Sequence, residues 1–191
     1  MGRILLNYTA NLLGLLMLVT SFQSSASLTR QQEAVNKNQW QQWPLVGEAQ
    51  LSWFFFDIYQ SRLTTPNGYY QLSDDVTPHP LALTIEYQRD ISAEQLIEAT
   101  QDQWTKLGVS KGEQGSWIAT MKAIYPNIRE GDKLAYVTDG QVGSFYHSSK
   151  FFSNRLIGRV ENENLNDAFL AIWLAPNSEY RDLRDQLVGV K

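Results

Sequence analysis

The chain has 191 residues, with 20 Asp and Glu against 16 Lys and Arg and a formal charge of −4. Its cations are scattered, so it lacks the basic stripe of a nucleic-acid reader. It contains no cysteine, which excludes disulfides, thiol catalysis, thiolate metal sites and lipid attachment at a cysteine.

Stability must therefore come from an apolar core. A composition that is 43% hydrophobic and 12% aromatic can supply one for a single domain of this length.

The first 26 residues read as a signal peptide. Arg3 is the positive start, Leu12–Val19 the apolar stretch, and Ser24-Ser25-Ala26 a small-residue cleavage site. Cleavage near Ala26 removes Arg3 and no acid, which takes the charge from −4 to −5. The apolar stretch is short for a membrane span, with an uncleaved membrane anchor as the alternative, and an exported chain without disulfides suits the bacterial periplasm, or secretion. Residues 27–44 follow as a polar lead-in, rich in Gln and Asn and ending in Trp40 and Trp43. A short docked helix is expected there.

The domain proper runs over 45–191. "EAQLSWFFFDIYQSRL" starts as alternation, and Trp53–Phe56 is an apolar run of the kind found in strands covered on both faces. Pro66-Asn67-Gly68 predicts a hairpin with "YYQL" as the returning strand, and "DDVTPHP" is a loop. "LALTIEYQR" alternates Leu81, Leu83, Ile85 and Tyr87 against Ala82, Thr84, Glu86 and Gln88, a strand with one polar face.

Helix signals follow. Ser92 with Gln95 forms a capping box, with Ile91 and Leu96 as its hydrophobic staple. The helix carries Ile97, Thr100, Trp104 and Leu107 on one side and stops at Gly108. Ser110 and Glu113 open a second helix that ends before Pro126. "DKLAYVT", Asp139-Gly140 and "VGSFYHS" predict a hairpin, and "NRLIGRV" a short strand or the lead-in to the next helix. Leu165, Ala168, Phe169, Ile172 and Trp173 recur at helical spacing until Ala175-Pro176, after which a final short helix carries Tyr180, Leu183 and Leu187. Strands, helices, strands, then helices argue for an α+β fold with a largely antiparallel sheet and helices on one face.

These segments, above all "LTIEYQRDISAEQLIEA", "WTKLG", "EGDKLAYV" and "DAFLAIWLAPNSEYRDLRDQLVG", resemble the chalcone isomerase-like proteins, and in particular their exported bacterial branch. The resemblance runs from about Val46 to Gly189. It implies an open-faced β-sandwich, a large antiparallel sheet with one layer of helices, in which the Ile172-Trp173 stripe is core.

It also implies two activities to weigh. The plant enzymes close a flavanone ring using an early-strand arginine and threonine, a helical tyrosine and asparagine, and a late serine or threonine. Here no arginine lies between Arg30 and Arg62, and the other positions fall near Asp57, Ser92, Ala99 and Ile157. Fatty-acid binding, the fold's second activity, relies on the same absent arginine to hold a carboxylate. The resemblance therefore points to a non-catalytic domain holding a small apolar or amphipathic ligand between sheet and helices.

Three residues are candidates for a site. Asp57 stands in an apolar run, where an unpaired buried carboxylate is costly. It is a polar anchor in the cleft, or a solvent-facing residue paired to Arg62 or Arg89. Tyr59, two residues on and so on the same face of a regular strand, is a ligand hydroxyl or a structural tyrosine. Arg89 precedes the helix cap with Asp90, as a ligand contact or a surface ion pair. His79 and His147 show no metal-ligand spacing, no phosphate loop occurs, and no cofactor is called for. An isomerase rebuilt around Asp57 and Tyr59 and an interaction protein with a filled cleft remain the alternatives. What separates them is whether those two side chains enter a cavity.

Overall fold

The alternating segment at Leu81–Tyr87 is the third strand of a six-stranded antiparallel sheet. In chain order, which is also the spatial order, the strands are β1 (Leu45–Trp53), β2 (Phe56–Thr64), β3 (Leu81–Tyr87), β4 (Lys133–Thr138), β5 (Gly143–Ser149) and β6 (Phe152–Val160). The computed structural model describes residues 39–53 and 55–191. The signal peptide expected at 1–26, and the lead-in up to residue 38, lie outside the described residues. Trp40–Lys191 forms one compact unit whose core is made of its own residues.

Two helices join β3 to β4, α1 (Ala93–Leu107) and α2 (Lys111–Ile124), and two follow β6, α3 (Glu163–Leu174) and α4 (Arg181–Leu187). Both capping boxes form, Ser92 with Gln95 and Ser110 with Glu113, and α1 ends on Gly108 at φ 86°, a left-handed position glycine takes without strain. After Pro176 the chain folds back on α3. Ser178 Oγ donates to Ile172 O at 2.7 Å and Arg184 Nε to Leu174 O at 3.1 Å, satisfying carbonyls that the helix end leaves open.

The helices cover one face of the sheet. Leu63, Leu83, Trp104, Phe145, Phe169 and Leu187 meet there with almost no exposure, each large apolar side chain contributing roughly 1.5–3 kcal/mol by leaving water. Tyr136, Phe145 and Phe169 form a ring cluster with centroids 4.6–4.9 Å apart. A Cβ on Gly47 would stand 2.0 Å from Gln186 O, so α4 can rest on β1 only because residue 47 has no side chain. Among the described residues, the other face is covered by a small cluster alone. The 3₁₀ turn Trp40–Gln42 places Trp40 on Ala82 and Ala135, with its ring 5.5 Å from Tyr146.

Two expectations from the sequence are corrected. The Trp53–Phe56 run is not one covered strand. Trp53 ends β1 and Phe56 begins β2, Phe55 lies in a turn, and Phe55 and Phe56 are 98% and 64% exposed. No Gly, Pro, Asn or Asp marks this turn, so the apolar run reads as strand. "YYQL" is not a returning strand either, because β1 and β3 already occupy both edges of β2 and leave Tyr69–Leu72 no ladder to join. Tyr70 packs instead as a buried loop anchor, its hydroxyl donating to Val76 O at 2.8 Å.

Candidate functional site

A cleft of about 170 Å³ opens between β1–β3 and helices α1 and α3. A local irregularity of β2 shapes its floor. Leu51 pairs with Tyr59 but Ser52 pairs with Asp57, so Ile58 is an extra residue, a β-bulge. The bulge breaks the two-residue alternation, and Ile58 and Tyr59 both line the cleft. Tyr87, directly opposite Tyr59 on β3, faces the same way with its ring 6.1 Å off, edge to face. Leu96, Ala99 and Thr100 of α1 and Ile172 and Trp173 of α3 supply the walls, and Tyr180 stands at the rim. None of the lining residues carries a charge.

The polar groups of the cleft are hydroxyls, the Trp173 indole N–H and the side-chain amides of Gln95 and Gln103, and the hydroxyl hydrogens of Tyr59, Thr100 and Tyr125 can be followed. Trp173 Nε1 donates to the Tyr59 hydroxyl oxygen at 2.9 Å. Thr100 Oγ1 donates to Leu96 O at 2.8 Å, so in its 3.1 Å contact with the Tyr125 hydroxyl the tyrosine is the donor. The Tyr59 hydrogen itself meets no acceptor among the described residues. Burial pushes the Tyr59 phenol far above its ordinary range, a rise that donation from Trp173 offsets only in part. Burial raises Tyr87 and Tyr125 in the same way. All three are neutral donors at physiological pH.

Charge appears only outside the mouth. Gln103 Nε2 donates to Glu179 Oε2 at 2.7 Å, and Lys106 Nζ bridges Glu179 at 2.9 Å and Asp102 at 2.7 Å. The bond from Gln103, then that from Lys106, holds the Glu179 carboxyl below its ordinary value. This group clamps the turn after α3 to α1.

The sequence candidates separate. Tyr59 is buried in the cleft wall. Asp57 is exposed, pairs in register with Ser52 and accepts from its Oγ at 2.6 Å, on the face away from the helices. The bulge at Ile58 is the reason that the two do not share a face. Arg89 is exposed at the end of β3, its guanidinium 6.0 Å from the Phe56 ring centroid, and it does not line the cleft. Of the positions matched to the plant enzymes, Ser92 is spent as a helix cap, Ala99 lines the cleft, and Ile157 packs on the core from β6.

The histidines have structural partners. His79 Nε2 accepts from Gln71 N at 3.0 Å, and His147 Nε2 lies 3.0 Å from Asp132 Oδ2 with both residues buried. Among the described residues, no three His, Asp or Glu side chains form a metal-binding group. Tyr87, Thr100 and Tyr125 were not singled out from the sequence as site residues. Tyr87 carried a usable signal, because it ends the apolar face of an alternating strand.

Comparison with known proteins agrees with this architecture. Residues 28–189 match the family described as chalcone isomerase-like. A protein of Haemophilus influenzae, described as uncharacterized, is 28% identical over 147 residues, covering 77% of this chain and 68% of that protein. A sheet with its helices on one face, and a match over nearly the whole length, lead to one statement: the chain belongs to the chalcone isomerase-like family.

Proposed function

We propose that this protein is a binding protein that holds a small, uncharged, mostly apolar ligand in the sheet–helix cleft and does not transform it. The observation that carries this reading is the Tyr59 hydroxyl. Its oxygen is occupied by Trp173 Nε1 and its hydrogen is free, in a wall without a charged residue. Such a group offers one hydrogen bond to a ligand carbonyl, ether or hydroxyl oxygen. A carboxylate ligand finds no cation there, and desolvating it unpaired is costly. The volume, about 170 Å³, is comparable to known apolar ligand cavities of about 150 Å³, and because the cleft is open at its mouth a longer ligand can extend beyond it.

An isomerase rebuilt around Asp57 and Tyr59 has less support. Its only carboxylate stands on the other face of the sheet, and a buried phenol whose ionisation is suppressed is a donor and not a base. An interaction protein with a filled cleft has the open volume against it. The leader-like start supports the further reading that the protein acts outside the bacterial cytoplasm. N-terminal sequencing of the mature protein tests that part, and it should begin near Ser27.

Native mass spectrometry of protein purified from its host tests the binding. A small neutral mass should accompany the wild type and be released by organic solvent. It should be absent from Ala99→Trp, which fills the mouth. A bare wild-type mass, or a ligand retained in Ala99→Trp, contradicts the proposal.

A further inference from the structure

In an antiparallel meander every second turn falls at the same end of the sheet, so the β1–β2 and β5–β6 hairpins share one end. Each tip presents aromatic rings to solvent. Phe55 is 98% and Phe56 64% exposed on the first, and Phe151 is 81% exposed on the second. At about 4.8 Å per strand, the tips stand roughly 20 Å apart. Solvated rings of this size, placed at turns where no packing demands them, are the kind of exposed apolar surface that marks an interaction site.

Each tip also carries cations beside its rings. Arg89 lies over Phe56, Lys150 Nζ is 5.0 Å from the Phe151 centroid, and the Arg155 guanidinium is 4.4 Å from that of Phe152. None of the three cations meets a carboxylate among the described residues. The nearby acids are partly committed. Asp57 accepts from Ser52 Oγ, Asp90 accepts from Glu130 N, and Glu86 is paired with Lys133 at 2.8 Å. An acidic protein thus has unpaired cations at the end that bears its exposed rings.

The second tip is also fixed in shape. Asn154 N donates to Ser148 Oγ at 2.8 Å, Ser148 Oγ donates to Asn154 Oδ1 at 2.9 Å, and Phe151 N donates to Ser149 Oγ at 3.2 Å. Phe152 anchors the turn from below, edge to face with His147 at 5.1 Å. Phe151 is therefore held out in water by the hairpin's own bonds.

We propose that the two hairpin tips form a membrane-docking face, with Phe55 and Phe151 entering the interfacial layer of a bilayer while Arg89, Lys150 and Arg155 meet the anionic phosphates of its headgroups. Aromatic rings settle at the level of the headgroups, and basic side chains are drawn to an anionic leaflet. Two anchors at one end of a rigid sheet, separated by its width, suit a flat partner of this chemistry. No helix among the described residues is long and apolar enough to cross a membrane, and the proposed contact is made by the hairpin tips.

The test is cosedimentation of the chain from Ser27 onward, which contains the whole compact unit, with vesicles of equal phosphatidylglycerol and phosphatidylcholine. Binding should be measurable and should fall about tenfold or more on pure phosphatidylcholine, and similarly in Lys150→Glu/Arg155→Glu. Phe55→Ser/Phe151→Ser should abolish it while leaving the urea midpoint unchanged, because both side chains are already in water. Wild-type protein that ignores the anionic vesicles, or binding that survives the double Phe variant, overturns the proposal. A dimer in sedimentation velocity that the Phe variant dissolves, without vesicle binding, also overturns it and assigns the tips to a second copy of the chain.

Discussion

Trp173 Nε1 donates to the Tyr59 hydroxyl at 2.9 Å, so the stripe of α3 and the bulged part of β2 meet through a polar contact in a wall without a charged residue. Trp173 is 8% exposed and packs on Phe169, with ring centroids 5.2 Å apart. It is core on one side and cleft wall on the other.

Replacing Trp173 by Ala removes both roles. We expect a loss of about 3–5 kcal/mol in a urea melt, the range for large buried aromatics. A loss below about 1 kcal/mol would show that the α3 stripe is not integral to the core.

Tyr59→Phe isolates the polar contact. The ring remains but Trp173 Nε1 loses its acceptor in a buried site, which costs about 1–3 kcal/mol. A ligand held by the Tyr59 hydrogen should bind up to about tenfold more weakly, the value of one ordinary hydrogen bond. Calorimetric unfolding together with a ligand titration separates the two effects. Unchanged stability and affinity would remove Tyr59 from the account.

Stability should fall steeply in alkali. Burial raises the phenols of Tyr59, Tyr87, Tyr125 and Tyr136 well above their ordinary value, and that of Tyr70 to about 12. Above about pH 10 the unfolded chain releases these protons and the folded chain keeps them. The contribution is therefore complete below pH ~10 and is lost as pH rises toward the folded values, by about 1.4 kcal/mol per pH unit for each such tyrosine. Ultraviolet titration should show these phenols ionising only as the fold is lost. Full ionisation with native circular dichroism would contradict their burial.

The features that could be read from the sequence were local ones. Ser92–Gln95 and Ser110–Glu113 announce helix starts because a capping box is complete within four residues, and Asp139-Gly140 announces its own turn. The turn at Phe55 and the bulge at Ile58 had no such mark. The bulge exists only in the pairing of β2 with β1, and it decides which face Tyr59 takes. Regular alternation therefore placed Asp57 beside Tyr59, while the real strand puts them on opposite faces. The cleft joins β1, β2, β3, α1 and α3, whose lining residues Leu51 and Trp173 stand 122 positions apart, and no short pattern records such a meeting. Tyr125 enters the cleft from beyond the end of α2, which periodicity does not reveal.

The protein should not isomerise chalcones. The position matched to the family's threonine, Asp57, faces away from the cleft, Ser92 is a cap, Ala99 has no donor and Ile157 is apolar. Each missing donor to a developing oxyanion lowers a rate by about 10²–10³, and these losses are not additive. Flavanone formation from a 2′-hydroxychalcone at neutral pH should match buffer alone. A clear acceleration that vanishes in Asp57→Asn would reverse this view.

The central claim is that an uncharged ligand occupies the cleft beside Tyr59. A fluorescence titration with the neutral probe N-phenyl-1-naphthylamine, followed by competition with decanol and with decanoate, tests it most directly. The account predicts saturable binding, loss of about tenfold or more in Ala99→Trp, and displacement by decanol but not by decanoate, which would leave an unpaired charge in an apolar wall. Displacement by decanoate as effective as by decanol, or equal probe affinity in Ala99→Trp, would contradict it.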